Sequence, residues 1–360
     1  MKKIVQIFII VVICMLVFVA CRPTAQTPAQ EPAQTPEKTP AASQEDSSAP
    51  SSSAHKFKVG VCVLDSANTL YAEVVQGIKD MLPEDAEVTV ADCQNNVTKQ
   101  AQDVENLTAA GVDGIIILPA EPNALEASIR AAMDKGIMII SIFDRLNEYD
   151  SYAAFDPWTY GNLLGEEAGK WIASELNGQA EVGMLTYNTM PAVQVRQQGM
   201  SDGMHKHAPD AEIVAQQDAA APDEGMAVTE SFLQAFPKMK VVMGINDGGA
   251  IGAFQAFVSA NKAGPDVFVG GTDGLPQAYE LMGQPGSIYR ASVDAHPHAM
   301  GALCAQQLML KVMGKPFERE PEVLLSVVTQ DNLAAKLKEI EEIRTNGRAM
   351  FDDIRAEILS

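Results

Sequence analysis

From Phe57 onward, short apolar blocks alternate with longer stretches of mixed character. Blocks of about four to eight apolar residues with polar or glycine residues at their ends are typical of buried strands. They lie at residues 57–64, 86–91, 114–118, 137–143, 180–186, 211–215, 240–245 and 266–272. The stretches between them, such as 97–111 and 158–177, repeat apolar residues at a period near 3.6, which is typical of helices. This alternation predicts parallel sheets whose strands are joined by right-handed crossovers.

The predicted strands form two similar sets, the first ending at residue 143 and the second starting at residue 180. Each set has a long first helix, and "GVDGIIILP" in the first set is similar to "PKMKVVMGIND" in the second. A break at residues 151–160 separates the two sets. The pattern therefore predicts an α/β protein with two doubly wound parallel-sheet lobes that arose by internal duplication.

One predicted strand ends in an unusual way. In "GIMIISIFDRLNE" the apolar block 137–143 is followed directly by Asp144 and Arg145, an acid beside a base. One interpretation is a solvated loop with an incidental ion pair. The other is a polar site at the carboxyl end of a parallel sheet, where open α/β folds bind ligands.

The amino terminus predicts export and a membrane tether. Lys2 and Lys3 precede an apolar run from Ile4 to Ala20, and Cys21 follows. This pattern is typical of a bacterial lipoprotein signal peptide at residues 1–20, cleaved before a Cys21 that carries lipid. An uncleaved membrane anchor is the alternative, and both place the chain outside the cytoplasm. Residues 21–55 then form the lipidated cysteine and a linker rich in Pro, Ser and Thr, which we expect to be disordered.

Composition narrows the classes of partner. The net charge of −21 argues against a nucleic-acid partner and against charge-driven binding to anionic lipid. If Cys14 leaves with the signal peptide and Cys21 carries lipid, Cys62, Cys93 and Cys304 remain, and we expect buried free thiols. A bridge between Cys62 and Cys93 is the alternative. The spacing of Cys and His residues does not suggest a metal site, and we predict no cofactor.

Five motifs in register resemble one family. They are "VENLTAAGVDGIIILPAEPNAL", "IFDR", "FDPWTYGNLLGEEAGKWI", "INDGGAIGAFQA" and "FVGGTDGLPQA". In order and spacing they are similar to the type I periplasmic sugar-binding proteins, the ribose- and galactose-binding family, over about residues 57 to 330. The resemblance implies two lobes joined by three crossovers near residues 156, 295 and 326, with the ligand closed between them. The implied lobe boundaries are 56–155 plus 296–325 for the first lobe, 156–295 plus 326–333 for the second and 334–360 for a helical tail.

The same resemblance assigns the ligand contacts by position. They are Asn68, Leu70, Tyr71, Asp144, Arg145, Trp158, Arg196, Asn246, Asp273 and Asp294. Two of them depart from the family pattern, because Leu70 replaces a flat ring and Asp294 stands where the family usually has an amide. For Trp158, the alternative to a ligand contact is packing between its helix and the lobe.

The chemistry of these residue types agrees with the assignment. Carboxylates accept hydrogen bonds from adjacent sugar hydroxyls, and a guanidinium donates a planar pair of them. Asp144, Asn246 and Asp273 come just after predicted strands, where an open sheet binds its ligand. The alternative is that each polar residue only caps the helix that follows it.

The predicted function is therefore capture of a sugar or related polyol by a membrane-tethered monomer, which delivers it to the permease of an ATP-driven ABC importer. Two alternatives keep the same fold: a sensor subunit that presents the ligand to a chemoreceptor or kinase, and a nucleoside-binding lipoprotein. An enzyme is the alternative from another class, but no nucleophile with its base stands out in the sequence. A transcription repressor of this fold group would begin with a basic helix-turn-helix, whereas this chain begins with a signal peptide and a linker.

Overall fold

The computed structural model describes residues 55–360, and the predicted signal peptide, the lipidation site at Cys21 and the linker up to residue 54 lie outside them. The first lobe is built on a five-stranded sheet in the order β2-β1-β3-β4-β5, with all strands parallel. Its strands are β1 (Lys58–Val63), β2 (Glu87–Asp92), β3 (Gly114–Ile117), β4 (Met138–Ile142) and β5 (Ser151–Ala153).

The second lobe repeats this plan. Its sheet has the order β11-β10-β9-β8-β6-β7, in which β7-β6-β8-β9-β10 corresponds to β2-β1-β3-β4-β5, and β11 adds an antiparallel edge strand. Its strands are β6 (Glu181–Thr186), β7 (Glu212–Asp218), β8 (Val241–Gly244), β9 (Phe268–Asp273), β10 (Tyr289–Asp294) and β11 (Ser326–Thr329). The matching strand orders confirm the predicted pair of doubly wound lobes.

Eleven helices connect and cover the strands of residues 55–360. They are α1 (Thr69–Met81), α2 (Val97–Ala110), α3 (Glu126–Met133), α4 (Pro157–Glu175), α5 (Pro191–His207), α6 (Pro222–Ala235), α7 (Asp247–Ser259), α8 (Pro276–Met282), α9 (Pro297–Val312), α10 (Leu333–Asn346) and α11 (Asp352–Leu359). Every predicted strand overlaps an observed one, and α2 and α4 lie where the helical period predicts them. In residues 55–360 no helix is long and apolar enough to cross a membrane.

The central strands of each sheet are buried, whereas the edge strands β2 and β7 are partly exposed. In β3 and β4 every residue is buried, as expected for parallel strands covered on both faces. The cysteines Cys62, Cys93 and Cys304 are buried and carry free thiols, so no bridge joins Cys62 to Cys93 in the described part of the chain.

The chain passes between the lobes at the ends of both sheets. The first passage runs from β5 to α4, and Phe155 within it packs against the cores of both lobes. The second runs from β10 of the second sheet to α9, which packs on α1 of the first lobe. A third passage returns from α9 to β11. Helices α1 and α9 touch through glycines, since a Cβ on Gly77 would lie 1.8 Å from the His298 carbonyl oxygen.

Candidate ligand-binding site

The carboxyl end of β1 places the first candidate residues at the start of α1. Asn68 is the N-cap of this helix, and its side chain accepts a hydrogen bond from the Leu70 amide at 3.0 Å. Leu70 and Tyr71 follow in the first turn, and both are partly buried. Burial raises the pKa of Tyr71 to about 12, and the charges of Asp273 and Asp144 add to this shift. Since Asp273 belongs to the second lobe, the Tyr71 hydroxyl lies near acids of both lobes.

Asp144 is presented by a tight turn after β4. Phe143 adopts a left-handed backbone with φ of 64°, and its carbonyl oxygen accepts a hydrogen bond from the Tyr152 hydroxyl at 2.8 Å. The next residue, Asp144, is partly buried. Burial raises the pKa of the Asp144 carboxyl, and the positive charge of Arg196, on the other lobe, lowers it. The charge of the second-lobe Arg196 therefore influences the ionisation of the first-lobe Asp144.

Arg145 is engaged elsewhere. Its guanidinium donates to Glu320 at 2.9 Å and to the Tyr149 hydroxyl at 2.6 Å, and it lies over the Tyr152 ring, 4.6 Å from the ring centre. Within residues 55–360, Asp144 is not among its hydrogen-bond partners. The two neighbours in sequence thus have separate environments, since Arg145 is bound by Glu320 and Tyr149.

On the second lobe, Arg196 is held in place from several sides. It donates to the Ile245 carbonyl oxygen at 2.7 Å, and its guanidinium carbon lies 4.6 Å from the centre of the Tyr160 ring. Its Nε is buried without a hydrogen-bond partner in the described part of the chain. One N–H group of the guanidinium is therefore left without an acceptor.

Close helix packing fixes the backbone that carries Arg196. A Cβ on Gly161 of α4 would lie 1.9 Å from the Arg196 carbonyl oxygen, and one on Gly165 would lie 2.1 Å from that of Met200. Only glycine allows α4 and α5 to approach so closely. This close approach sets the distance between the Arg196 guanidinium and the Tyr160 ring.

Asp273 ends β9 in a strained conformation, with φ of 116°. Its carboxylate accepts a hydrogen bond from the Tyr160 hydroxyl at 3.2 Å. Burial raises its pKa to about 6, and the charge of Arg196 opposes this shift. Tyr160, which the sequence does not single out, therefore holds both Arg196, through its ring, and Asp273, through its hydroxyl.

Two neighbouring residues on α7 support this edge of the second sheet. Asn246 caps the helix by accepting from the Gly249 amide at 2.9 Å, so the helix-cap role predicted as its alternative is present. Asp247 is fully buried and accepts from the Tyr289 hydroxyl at 2.7 Å, the Ser292 hydroxyl at 2.8 Å and the Leu275 amide at 2.8 Å. Burial raises its pKa to about 8. Sequence reasoning missed Asp247, because an acid at the first position of a helix is usually an exposed one.

The last two candidates have other partners. Trp158 is 40% exposed, and its indole N–H donates to Asp202 at 2.8 Å. Asp294 is buried, with Lys336 Nζ at 2.6 Å, the Tyr279 hydroxyl at 3.0 Å and the His296 amide at 2.7 Å. A ligand contact at Asp294 would have to displace one of these groups.

Four residues make up the candidate site that we call the interlobe site: Tyr71, Asp144, Arg196 and Asp273. Two come from each lobe. Asp144 and Asp273 lie at the carboxyl ends of β4 and β9, and Tyr71 and Arg196 lie on the helices that follow β1 and β6. They offer two carboxylate acceptors, one guanidinium donor and one phenol. This set suits a neutral ligand with several hydroxyl groups, because each hydroxyl both donates and accepts.

Comparison with known proteins agrees with this architecture. A family model described as a periplasmic binding protein domain matches residues 59–316. The chain therefore belongs to the periplasmic binding protein family, as the sequence motifs predicted. The chain is 30% identical over 290 residues to the ribose import binding protein of Bacillus subtilis, which covers 78% of this chain and 90% of that protein.

Two further proteins extend the comparison. An ABC transporter periplasmic-binding protein of Escherichia coli is 26% identical over 280 residues, covering 75% of this chain and 84% of its own length. A solved periplasmic solute binding protein of an ABC transporter from Actinobacillus succinogenes, with bound D-allose, superposes with a TM-score of 0.70 at 24% identity. It covers 78% of this chain and 100% of its own, and it confirms the two-lobed fold.

Proposed function

We propose that this protein is an extracytoplasmic solute-binding protein that captures a sugar or related polyol between its lobes and delivers it to an ABC importer. The observation that carries the proposal is the interlobe site, in which the first lobe supplies the acid Asp144 and the second lobe supplies the base Arg196. A ligand that forms hydrogen bonds with both residues can complete all of these bonds only when the two lobes approach each other. The relationship to a ribose import binding protein supports the ligand class.

Hinge closure belongs to this proposal. We place the hinge in the three passages near residues 156, 295 and 326, where the chain leaves one sheet and enters the elements of the other lobe. Ligand binding then shifts an equilibrium between open and closed arrangements, because only the closed one completes the hydrogen bonds. Binding rather than catalysis is the proposed activity.

A thermal-shift panel tests the ligand class. Pentoses, hexoses, inositols and nucleosides are added to the wild-type protein, with nucleosides included because Leu70 replaces the usual stacking ring. A matching ligand at about one hundred times its Kd stabilises the native state by about 2.7 kcal/mol. We expect Asp144→Ala and Arg196→Ala each to lose most of this shift, since each leaves ligand hydroxyls without a charged partner in a poorly hydrated site.

The control variant for this panel is Lys206→Ala, on the same helix as Arg196. Lys206 forms an exposed ion pair with Glu166, and such pairs contribute little to stability. We expect it to keep the full ligand-induced shift. If a ligand shifts all the variants equally, the interlobe site is not where it binds.

We also propose the lipid tether at Cys21. The apolar run that ends at Ala20, followed by cysteine and a long polar linker, supports it. The wild-type protein is expected to fractionate with membranes and to incorporate labelled palmitate, whereas Cys21→Ala is not. Equal labelling of the two proteins would rule the lipoprotein out.

A further inference from the structure

The carboxyl-terminal segment, residues 331–360, lies beyond the matched family domain and contacts both lobes. At its start, the Asn332 side chain accepts from the Thr329 amide at 2.8 Å and donates to the Val327 carbonyl oxygen at 2.9 Å. Leu333 is buried in a core cluster of the second lobe. Helix α10 is therefore fixed to the second lobe at its first turn.

The same helix reaches two of the passages between the lobes. Lys336 forms a buried ion pair of 2.6 Å with Asp294, the last residue before the second passage. Its Nζ also lies 3.3 Å from Nδ1 of His296, within that passage. The other ring nitrogen of His296 lies 2.9 Å from the Ser326 hydroxyl, where the third passage enters β11. One lysine thus ties the helix to a cluster that joins two hinge strands.

The end of the segment is fixed to the first lobe. Arg348 donates to the carbonyl oxygens of Lys79 at 2.9 Å and Leu82 at 2.7 Å. Arg355 donates to those of Asp80 at 2.7 Å and Met81 at 3.2 Å. These are carbonyls at the carboxyl end of α1, which have no partner within their own helix and attract positive charge.

Apolar contacts complete this second anchor. Ile358 of α11 is buried in the core cluster of the first lobe, and Phe351 stacks on His298 with ring centres 5.9 Å apart. Gly347 joins the two halves of the segment, and a Cβ there would lie 2.4 Å from an Asp80 carboxylate oxygen. The connection between the two halves is therefore short and closely packed, so the distance between the two anchors can change little.

We propose that residues 331–360 form a strap, a fourth connection between the lobes, and that Lys336 is its positioning residue at the hinge. Both anchors are made at the same time, through Lys336 on the second lobe and Arg355 on the first. A short segment that is anchored at both ends limits how far the two lobes can separate. The strap therefore favours the closed arrangement of the lobes in the protein without ligand. The inference rests on the proposed hinge motion, and it concerns the protein without ligand.

The decisive experiment lengthens the strap and leaves both anchors intact. A flexible Gly-Ser linker is inserted between Asn346 and Gly347, and the radius of gyration of the unliganded protein is measured by solution scattering. The insertion keeps every anchoring contact. If the segment serves only for local packing, the radius of gyration of the lengthened protein therefore stays the same as that of the wild type. The strap predicts a shift to a larger radius, and an unchanged radius overturns it.

Side-chain variants test the anchors separately. Arg348→Met with Arg355→Met removes the charged donors of the first-lobe anchor and so weakens it. Lys336→Met with Asp294→Asn removes the charges of the hinge pair together, which avoids leaving a buried carboxylate unpaired. We expect both to increase the radius of gyration, with far-ultraviolet circular dichroism unchanged. Lys240→Met, which removes an exposed ion pair with Asp266, is the control that leaves the radius as it is. An unchanged radius in both anchor variants overturns the strap.

The outcomes separate this inference from the proposed function. A ligand shift in the thermal panel together with an unchanged radius in the lengthened protein overturns the strap alone. A larger radius in the lengthened protein without any ligand shift supports the strap and counts against the proposed sugar site.

Discussion

Phe143 and Asp273 adopt left-handed backbone conformations at the ends of β4 and β9, the strands that correspond to each other in the two sheets. Such conformations cost a residue other than glycine about 1–3 kcal/mol, and they persist where the surrounding contacts hold them in place. The Tyr152 hydroxyl holds the Phe143 carbonyl, and the Tyr160 hydroxyl holds the Asp273 carboxylate. In both lobes, strain and a tyrosine together place one acid of the interlobe site.

We expect Asp273 to make the proposed site sensitive to pH. Its pKa of about 6 lies above the ordinary 3.8, so between these values the native state holds a proton that the unfolded chain has released. Its contribution to the free energy of unfolding is therefore complete below about pH 3.8 and is lost as pH rises through about 6. The ionised form, which accepts hydrogen bonds from ligand hydroxyls, dominates only above that point.

We therefore expect ligand affinity to rise as pH increases through about 6. Titration calorimetry from acid to neutral pH, with a ligand found in the panel, measures this dependence. Asp273→Asn is expected to bind more weakly and to lose this step, since the amide does not titrate. A step of equal size in Asp273→Asn would assign the titration to another group, such as Asp144 or Asp247.

At the scale of elements, α4 and α5 form the most closely packed helix pair around the site. Gly161, Gly165 and Gly169 of α4 each face a carbonyl oxygen of α5 at a distance too short for a Cβ. Gly165→Ala is expected to destabilise the protein by about 1–3 kcal/mol, which outweighs the gain of up to about 1 kcal/mol in helix propensity. It should also weaken ligand binding, because α5 carries Arg196.

Chemical denaturation and the thermal panel together check this expectation. Ala173→Ser, on the exposed face of α4, is the matched control and should leave both quantities nearly unchanged. A Gly165→Ala protein with wild-type stability would mean that α5 can move outward freely, and that the glycines do not set the position of Arg196.

The elements also show what the sequence can and cannot predict. The strands with unbroken apolar runs, such as β3 and β4, were predicted, because burial on both faces of a parallel sheet requires such runs. Strand β10 was not, since its buried Ser292 and Asp294 interrupt the run and are tolerated only through partners from distant elements. Strands β5 and β11 are three and four residues long, too short to show a period.

The same limit applies to the site. Asp144, Arg196 and Asp273 were assigned to the candidate site because the family motif marks their positions, although it does not foresee that Arg145 bonds to Glu320. Tyr160 and Lys336 were missed. Their roles depend on partners far away in sequence, Asp273 and Asp294, and a single tyrosine or lysine on a helix gives no local signal.

For the whole molecule, the proposed function depends on the arrangement of the lobes, because each lobe supplies only part of the candidate site. Tyr71 and Asp144 lie on one lobe, and Arg196 and Asp273 lie on the other. A ligand that bonds to both sets stabilises only the closed arrangement, and it can shift the equilibrium by no more than its difference in affinity for the two states. Phe155, packed against the cores of both lobes, lies in the passage around which such a movement would occur.

We therefore expect solution scattering to show a smaller radius of gyration at saturating ligand than without it. The strap predicts that this compaction is modest in the wild-type protein and greater in the protein with a lengthened strap, since the latter starts from a more open average. Asp144→Ala at the same ligand concentration should show little compaction, because the ligand loses its partner on the first lobe. Identical scattering curves with and without saturating ligand, in both the wild-type and the lengthened protein, would show that the lobes do not close on what they bind.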